Sequence, residues 1–389
     1  MAETKAEAAG PRLVMFLRAV FEFDSRVQKE ASSAAQAGFD VTVLCAAGEG
    51  LPATERREGF TVRRLGKEHK FGPLSWSMWY LGCIGWCLRH RPHLIHVNDL
   101  DPLPAGLIAS RLTGAGLVYD SHELWSQGQA LMCRGRLTRW LVRKAERFCA
   151  RRTDANFQAD TARAEFFSTF YGLPQPKTLS NCPTYQQCAR TNRLREMAGI
   201  GPEKKIMLYV GWMLPGRGVE STLQALAYLP EYVHLVFLGQ GRHDAIRDFR
   251  SSGDQGNRVH VLPPVPYADI VPVVSSVDIG LSLIQNTNLS YYLGVPTKIF
   301  EYMMAGVPVV ASNFPEISRV VGDVKFGELV DPEDPQQIAQ AVMRILENPS
   351  LAEEYRRNAL EGCKSYCWEN QVGSLINEYR RITGWSERP

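Results

Sequence analysis

The sequence predicts an α/β fold of two doubly wound domains in tandem, facing each other across a cleft. Three observations predict it. The chain has 389 residues, which at roughly 150 residues per domain means two or three cores. Short, continuous apolar runs alternate with helix-spaced segments, stop, and start again, as parallel sheets covered on both faces require. Between the two series lies a looser stretch, 171–201, holding Gly172, Pro174, Pro176 and Pro183, with Pro202 just beyond. It is the strongest linker signal in the chain.

The first series opens with an apolar strand at 12–17. Residues 24–37 have helical spacing and stop at Gly38, a residue suited to ending a helix. Strands follow at 41–46 and 61–65, then a helix at 74–90 and a strand at 94–97. Residues 103–112 read as a helix, 116–120 as a strand, 136–152 as a long helix and 155–158 as a strand. After the linker the series restarts with a strand at 206–210 and a helix at 219–228. Strands at 233–238, 259–262 and 279–282 come next, then a helix at 297–305 and a strand at 309–311. A further helix, 335–346, starts with Asp334 as its cap and Pro335 in the first turn. Ligands in such folds sit beyond the carboxyl ends of the strands.

Composition narrows the class. Apolar residues are 45% and charged residues 22%, so each half can bury a core, and a disordered chain is excluded. The net charge of +3 indicates no particular partner, and no nucleic-acid partner is expected. Nine cysteines in a long chain read as reduced thiols of a cytosolic protein. Cys83/Cys87 and Cys363/Cys367 lack the further His or Cys ligands of a zinc site. The first ten residues, MAETKAEAAG, do not read as a secretory signal. The longest apolar stretch, LSWSMWYLGCIGWCL at 74–88, is shorter than the roughly 20 residues of a spanning helix. A cytoplasmic location is expected.

Three segments have the residue types of a site. In GVPTKIFEYMMAGVPVVAS, 294–312, a turn through Gly294, Val295 and Pro296 enters a helix that Gly306 and Pro308 end. Lys298 falls in the first helical turn, where a cation opposes the helix dipole. A bound anion such as a diphosphate would justify it. Glu301, one turn on, could accept hydrogen bonds from two ribose hydroxyls; the alternative is a solvated Lys–Glu pair on an amphipathic helix. In VGWMLPGRGVE, 210–220, Gly216 and Gly218 would let the backbone approach a ligand, and Arg217 offers a fork for phosphate oxygens. A plain loop is the alternative, since neither the P-loop nor the dinucleotide spacing is present. The third pair of segments follows strands: HVNDLD, 96–101, and YDSHELW, 119–125. His122 beside Glu123 reads as a polar site, and Asp99 and Asp101 either bind substrate or cap the helix near Pro102. No third ligand is spaced to complete a metal site there.

The order of these motifs resembles the retaining, family 4 class of nucleotide-sugar glycosyltransferases with the GT-B fold of two Rossmann-like domains. The resemblance runs from DSRVQKEASSAAQAGFDVTVL (24–44) to YCWENQVGSLINEYRRI (366–382). It implies an acceptor-binding domain at 11–190, a donor-binding domain at 191–367, and a last helix, 368–389, packing back on the first domain. It implies that His122, Arg217 and Lys298 are catalytic, the two cations meeting negative charge on the departing diphosphate and His122 contacting the donor sugar. Gly216, Gly218, Gly294, Val295, Pro296, Thr297 and Glu301 would bind the donor, with 262–265, Val265 included, near the base. Asp24, Arg26, Asn98, Asp99 and Glu123 are the acceptor-side candidates. The class needs no metal or cofactor; a nucleotide-diphosphate sugar, taken as a UDP-sugar, is its substrate, and a lipid-linked or polysaccharide acceptor its partner. Three departures stand out. Leu293 occupies the position of a usual Glu eight residues before Glu301, Trp212 that of a usual Arg, and Asp24-Ser25-Arg26 replaces an N-terminal Gly-Gly loop.

The region 134–152 holds Arg134, Arg136, Arg139, Arg143, Lys144, Arg147, Arg151 and Arg152 against Glu146, with Trp140, Leu141, Phe148 and Cys149 as an apolar side. It reads as a basic amphipathic helix suited to an anionic membrane surface, or as an ordinary domain helix with a solvated face. Trp76, Trp79 and Trp86 are candidate interfacial anchors. The competing functions are a sugar-nucleotide epimerase or phosphorylase on the same fold, and a non-catalytic nucleotide-sugar-binding protein, which Leu293 favours.

Overall fold

The computed structural model describes residues 10–22, 24–66, 73–241, 244–251 and 254–386. The segment read as lacking a secretory signal lies, apart from Gly10, outside the described residues, as does the end of the chain from 387. The chain divides into two compact units: residues 1–180 with 371–389, and residues 181–370.

The first unit is built on an eight-stranded sheet. Its strands are β1 (Arg12–Val20), β2 (Asp40–Ala46), β3 (Thr54–Arg57), β4 (Phe60–Leu65), β5 (Leu94–Asn98), β6 (Gly116–Ser121), β7 (Ala155–Gln158) and β8 (Lys177–Thr178). Their order is β3-β4-β2-β1-β5-β6-β7-β8. The pairs are parallel except β3 with β4. The antiparallel β3, TERR, has no apolar run to announce it; it is an edge strand that exposes alternate residues. The interior strands are continuous apolar runs because both faces are covered, and β5 is buried at every position.

The second unit has a six-stranded parallel sheet in the order β11-β10-β9-β12-β13-β14. Its strands are β9 (Lys205–Val210), β10 (Val233–Leu238), β11 (Val259–Leu262), β12 (Ile279–Ser282), β13 (Val309–Ser312) and β14 (Gly327–Val330). Apolar clusters pack on both faces of this sheet. Helix Pro335–Leu346 is capped by the Asp334 side chain, which accepts from the Gln336 and Gln337 amides, with Pro335 in the first turn. Helices Thr161–Tyr171, Pro315–Val324 and Pro349–Gly362 complete layers that the periodicity left unassigned.

The linker differs from its sequence reading. The boundary falls at Ser180/Asn181, not near 190, and the stretch contains helix Arg193–Ala198. From Asn181 onward the stretch is tied to the second unit by side chains: Thr191 Oγ1 donates to the Pro272 carbonyl at 2.6 Å, and Asn181 Nδ2 to Thr297 Oγ1 at 3.4 Å. The last helix, Trp368–Thr383, passes from one unit to the other at 370/371. In the first unit its Tyr379 is fully buried and packs edge-on against Phe39.

Strand order reverses between β1 and β5 in the first sheet and between β9 and β12 in the second. At such switch points the loops leaving the strands diverge and open a crevice. Asp24 and Arg26 follow β1, Asp99 follows β5 and His122 follows the neighbouring β6 in the first unit; Arg217 follows β9 and Lys298 and Glu301 follow β12 in the second.

Candidate active site

In the second unit, the chain leaves β9 through Gly211 and reaches Arg217 by a turn. It leaves β12 toward helix Thr297–Met304, whose N-terminus Pro296 caps. That helix is buried on every side, so it has no solvated face. Tyr302 pins it to the sheet: its hydroxyl donates toward the Leu208 and Leu281 carbonyls and accepts from the Val210 amide. Lys298 and Glu301 are 9% and 8% exposed. The solvated-pair alternative is therefore overturned by the central position of the helix.

The Lys298 ammonium lies 3.6 Å from the centroid of the Tyr209 ring. It makes no ion pair among the described residues. Burial, then the nearby Arg217, pushes it down to about 7 against the pull of Glu301. The Arg217 guanidinium carbon sits 5.0 Å from the centroid of the Tyr291 ring, and its buried Nε has no hydrogen-bond partner. Among the described residues, two adjoining cations at the carboxyl end of a parallel sheet thus form no ion pair, with only the more distant pull of Glu301 on Lys298. Burying a charge unpaired is costly, and an anion would relieve both.

The glycines of this loop answer to the protein itself. Gly218 adopts φ +78, and a Cβ there would stand 2.0 Å from the Leu283 carbonyl oxygen. Gly216 adopts the same φ, and a Cβ would stand 2.8 Å from Thr287 Oγ1. Close packing of this loop against the segment that follows β12 explains them without a ligand. Gly294 is buried, whereas Val295, Pro296 and Thr297 are half-buried. Val265 and Leu262 pack half-buried against the core. Trp212 is 54% exposed, with its carbonyl held by the Tyr209 hydroxyl at 2.8 Å.

In the first unit, Asp24 caps helix Ser25–Gln36, accepting from the Arg26 and Val27 amides. Arg26 points inward and is 3% exposed. Its Nε and Nη2 form two parallel bonds to the Asp120 carboxylate, at 2.9 and 2.7 Å, and Nη1 donates to the Leu179 carbonyl at 2.7 Å. Nε also lies 2.9 Å from Glu30 Oε1. The guanidinium is thus engaged within the protein and is not presented to an acceptor. His122 Nε2 lies 3.2 Å from Asp120 Oδ2, and Nδ1 lies 3.7 Å from Asp99 Oδ2. Asp99, at φ +69, also accepts the His122 amide at 2.9 Å. The helix-capping reading of Asp99 and Asp101 fails. Helix Leu103–Thr113 has Pro102 at its cap with no side-chain bond, and Asp101 pairs with Arg18 at 2.7 Å. Asn98 is buried, donating to the Phe16 carbonyl at 3.2 Å, while Glu123 is exposed.

Charge in this cluster is set by burial and by neighbours. Burial opposes the His122 imidazolium, but Asp99 and Asp120 outweigh it and raise the group to about 10. Burial likewise opposes the Asp120 carboxylate, yet Arg26 and His122 hold it well below the usual range. Glu30 is pushed well above that range by burial and by Asp120, with Arg26 opposing. Burial lowers His96 to about 4. Two cations, Arg26 and His122, then face the Asp99 and Asp120 carboxyls, beside a neutral His96 and a Glu30 whose proton is held more tightly than usual.

Among the described residues, Glu30, His96 and Asp120 offer one possible metal-ligand group, with donor atoms within 4.8 Å of one another. The Arg26 guanidinium already bonds both carboxyls and supplies the cation they require. Sequence reasoning missed Glu30, His96 and Tyr209. Glu30 carried one signal: it stands one helical turn after Arg26.

The proposed membrane helix differs from its sequence reading in both faces. In helix Arg136–Ala150, Glu146 is buried and accepts from the Tyr119 and Tyr171 hydroxyls. Cys149 is buried too, but Leu137, Trp140, Leu141 and Phe148 are all more than half exposed. Arg147 Nε donates to the Tyr171 carbonyl and so belongs to the fold. Trp79 is a core residue, packed edge-on against Phe16. No helix among the described residues is long and apolar enough to cross a membrane.

Comparison with known proteins agrees with this division. The family model for glycosyl transferases group 1 matches residues 191–362, and that for a glycosyl transferase 4-like domain matches 24–181. O-antigen chain mannosyltransferase B of Escherichia coli is 28% identical over 45% of this chain and 45% of its own length. The match thus spans less than half of that relative. A D-inositol 3-phosphate glycosyltransferase of Rhodococcus jostii is 22% identical over 92% of this chain and 84% of its own. Sucrose-phosphate synthase from Thermosynechococcus elongatus superimposes with a TM-score of 0.82 at 19% identity, covering 97% of this chain and all of that one. Anabaena HepE, solved with UDP-glucose, gives 0.75 at 17% identity, covering 96% of this chain and all of that one. These structures share the fold of two Rossmann-like domains, and the two family models between them span both units: the chain belongs to the group 1 glycosyl transferases of the GT-B fold class.

Proposed function

We propose that the protein is a retaining glycosyltransferase that moves a sugar from a nucleotide-diphosphate sugar, a UDP-sugar by preference, to a lipid-linked or polysaccharide acceptor in cell-surface glycan synthesis. The observation that carries this reading is the unpaired cation pair, Lys298 and Arg217, at the switch point of the second sheet. When the anomeric C–O bond breaks, its electron pair goes to the diphosphate. Fixed cations meet that charge without reorganisation. The acceptor hydroxyl then bonds the anomeric carbon on the same face and gives up its proton to an oxygen of the departing diphosphate. No metal is needed, because the two side chains supply the positive charge. Glu301 is buried one turn after Lys298 and suits the two ribose hydroxyls, and His122 serves the donor sugar.

The relative named as an O-antigen chain mannosyltransferase supports an acceptor of this kind, whereas the one named for inositol 3-phosphate is named for a small phosphorylated molecule. The exposed bases Arg136 and Lys144, with exposed Leu137, Trp140 and Leu141, support peripheral association with the inner, anionic face of a membrane. The test is nucleotide release across a panel of nucleotide-sugars, with and without lipid-linked acceptor. Acceptor-dependent release confirms the reading. Product without acceptor would make it an epimerase, and tight binding without turnover a non-catalytic binder.

A further inference from the structure

Beneath His122 runs a continuous chain of buried polar groups. It begins on the last helix, where the Tyr379 hydroxyl lies 2.7 Å from His96 Nδ1. His96 Nε2 lies 3.5 Å from Glu30 Oε2 and 3.9 Å from Asp120 Oδ2. Asp120 grips Arg26 and reaches His122. Tyr379, His96, Glu30, Arg26 and Asp120 are each at most 3% exposed. Such a cluster adds little net stability over apolar packing, so stability alone does not account for it. It does restrict geometry at its two ends, through the Tyr379–His96 hydrogen bond and the paired Arg26–Asp120 bonds. Between them His96 Nε2 and the Glu30 carboxyl, like His122 Nε2, meet their neighbours by charge and packing without a hydrogen bond among the described residues. The two Arg26 bonds fix the plane of the Asp120 carboxylate and so direct Oδ2 at the imidazole. If Nδ1 of His96 accepts the Tyr379 hydroxyl, its proton is on Nε2, facing the carboxyl oxygens.

We propose that Arg26, His96 and Tyr379 are positioning residues for His122, acting through Asp120, so that the last helix sets the geometry of a site it does not touch. The proposal builds on the reading that His122 serves glycosyl transfer. The groups around the imidazole are Asp99 after β5, Asp120 on β6, Arg26 and Glu30 on the first helix, His96 on β5, and Arg163, which donates to the His122 carbonyl at 2.8 Å.

The test compares Tyr379→Phe and Arg26→Lys with wild type and with Tyr232→Phe, a control on the second unit. It measures the 15N titration of the His122 imidazole in the full chain, assigned by its loss in His122→Gln, and kcat and KM for nucleotide release. Tyr379→Phe removes one hydroxyl and keeps the ring on Phe39, so it carries the decision if Arg26→Lys does not fold. In both variants the His122 midpoint is expected to move by about one pH unit. A roughly hundredfold fall in kcat is expected with little change in donor KM. An unchanged His122 titration in Tyr379→Phe overturns the proposal, whatever happens to the melting temperature. If wild type releases no nucleotide from any donor, the transferase reading fails, and the titration still decides the positioning chain.

Discussion

Replacing Lys298 by Met should stabilise the unliganded protein and abolish donor binding together. Met keeps the apolar stem of the side chain and removes the charge. Lys298 ordinarily titrates at 10.5 and is pushed down to about 7 here, chiefly by burial. Because the folded value lies below the unfolded one, the native state holds fewer protons between these two pH values. Stability then rises with pH across that window, and the penalty of the buried ammonium is complete below about pH 7. At about 1.36 kcal/mol per pH unit the penalty approaches 5 kcal/mol. Relaxation and the Tyr209 ring reduce it; about 2 kcal/mol, or a rise of roughly 4–8 °C in Tm, is the expected gain. The assay is thermal and urea unfolding at pH 6 and pH 9, with and without UDP. The gain should be about half as large at pH 9 as at pH 6. UDP at 100 times its Kd should stabilise wild type by about 2.7 kcal/mol and the variant not at all. A variant that is less stable at both pH values and keeps its UDP response would refute the reasoning.

Three further outcomes follow from the same geometry. Gly218→Ala sets a Cβ 2.0 Å from the Leu283 carbonyl at φ +78 and should cost about 2 kcal/mol or more in urea unfolding. Glu301→Gln should weaken UDP binding about tenfold, a loss of about 1.4 kcal/mol, and leave inorganic pyrophosphate binding nearly unchanged; calorimetry separates the two. For the membrane surface, Arg147 is unsuitable for charge reversal because it bonds Tyr171. Reversal of Arg136, Arg139 and Lys144 should lower affinity for anionic vesicles by about 1 kcal/mol per charge or more, read by flotation, and equal flotation of both proteins would remove that surface from the account.

The strand positions were legible because both faces of a parallel sheet are covered, which turns a strand into an uninterrupted apolar run. β3 was not, because TERR is an edge strand with polar residues. The donor-side residues were legible as types, a Gly-Arg-Gly turn and a Lys–Glu pair, but their meaning was divided. Helical spacing puts Lys298 and Glu301 on one face whether that face meets solvent or core.

By itself, the sequence determined two doubly wound domains, the candidate loops after the strands and the chemistry those loops carry. Local periodicity and turn residues depend on near neighbours, and the sequence records those directly. Only the tertiary structure decided which charges are buried and unpaired. Lys298 lost its solvated-pair alternative because helix Thr297–Met304 is buried on every side. Arg26 left the acceptor side because Asp120, distant in sequence, takes its fork, and Tyr379 joined His96 because the last helix ends on the first unit. Desolvation and ion pairing depend on what surrounds a group in space, and that is fixed only when strands far apart in the chain come together.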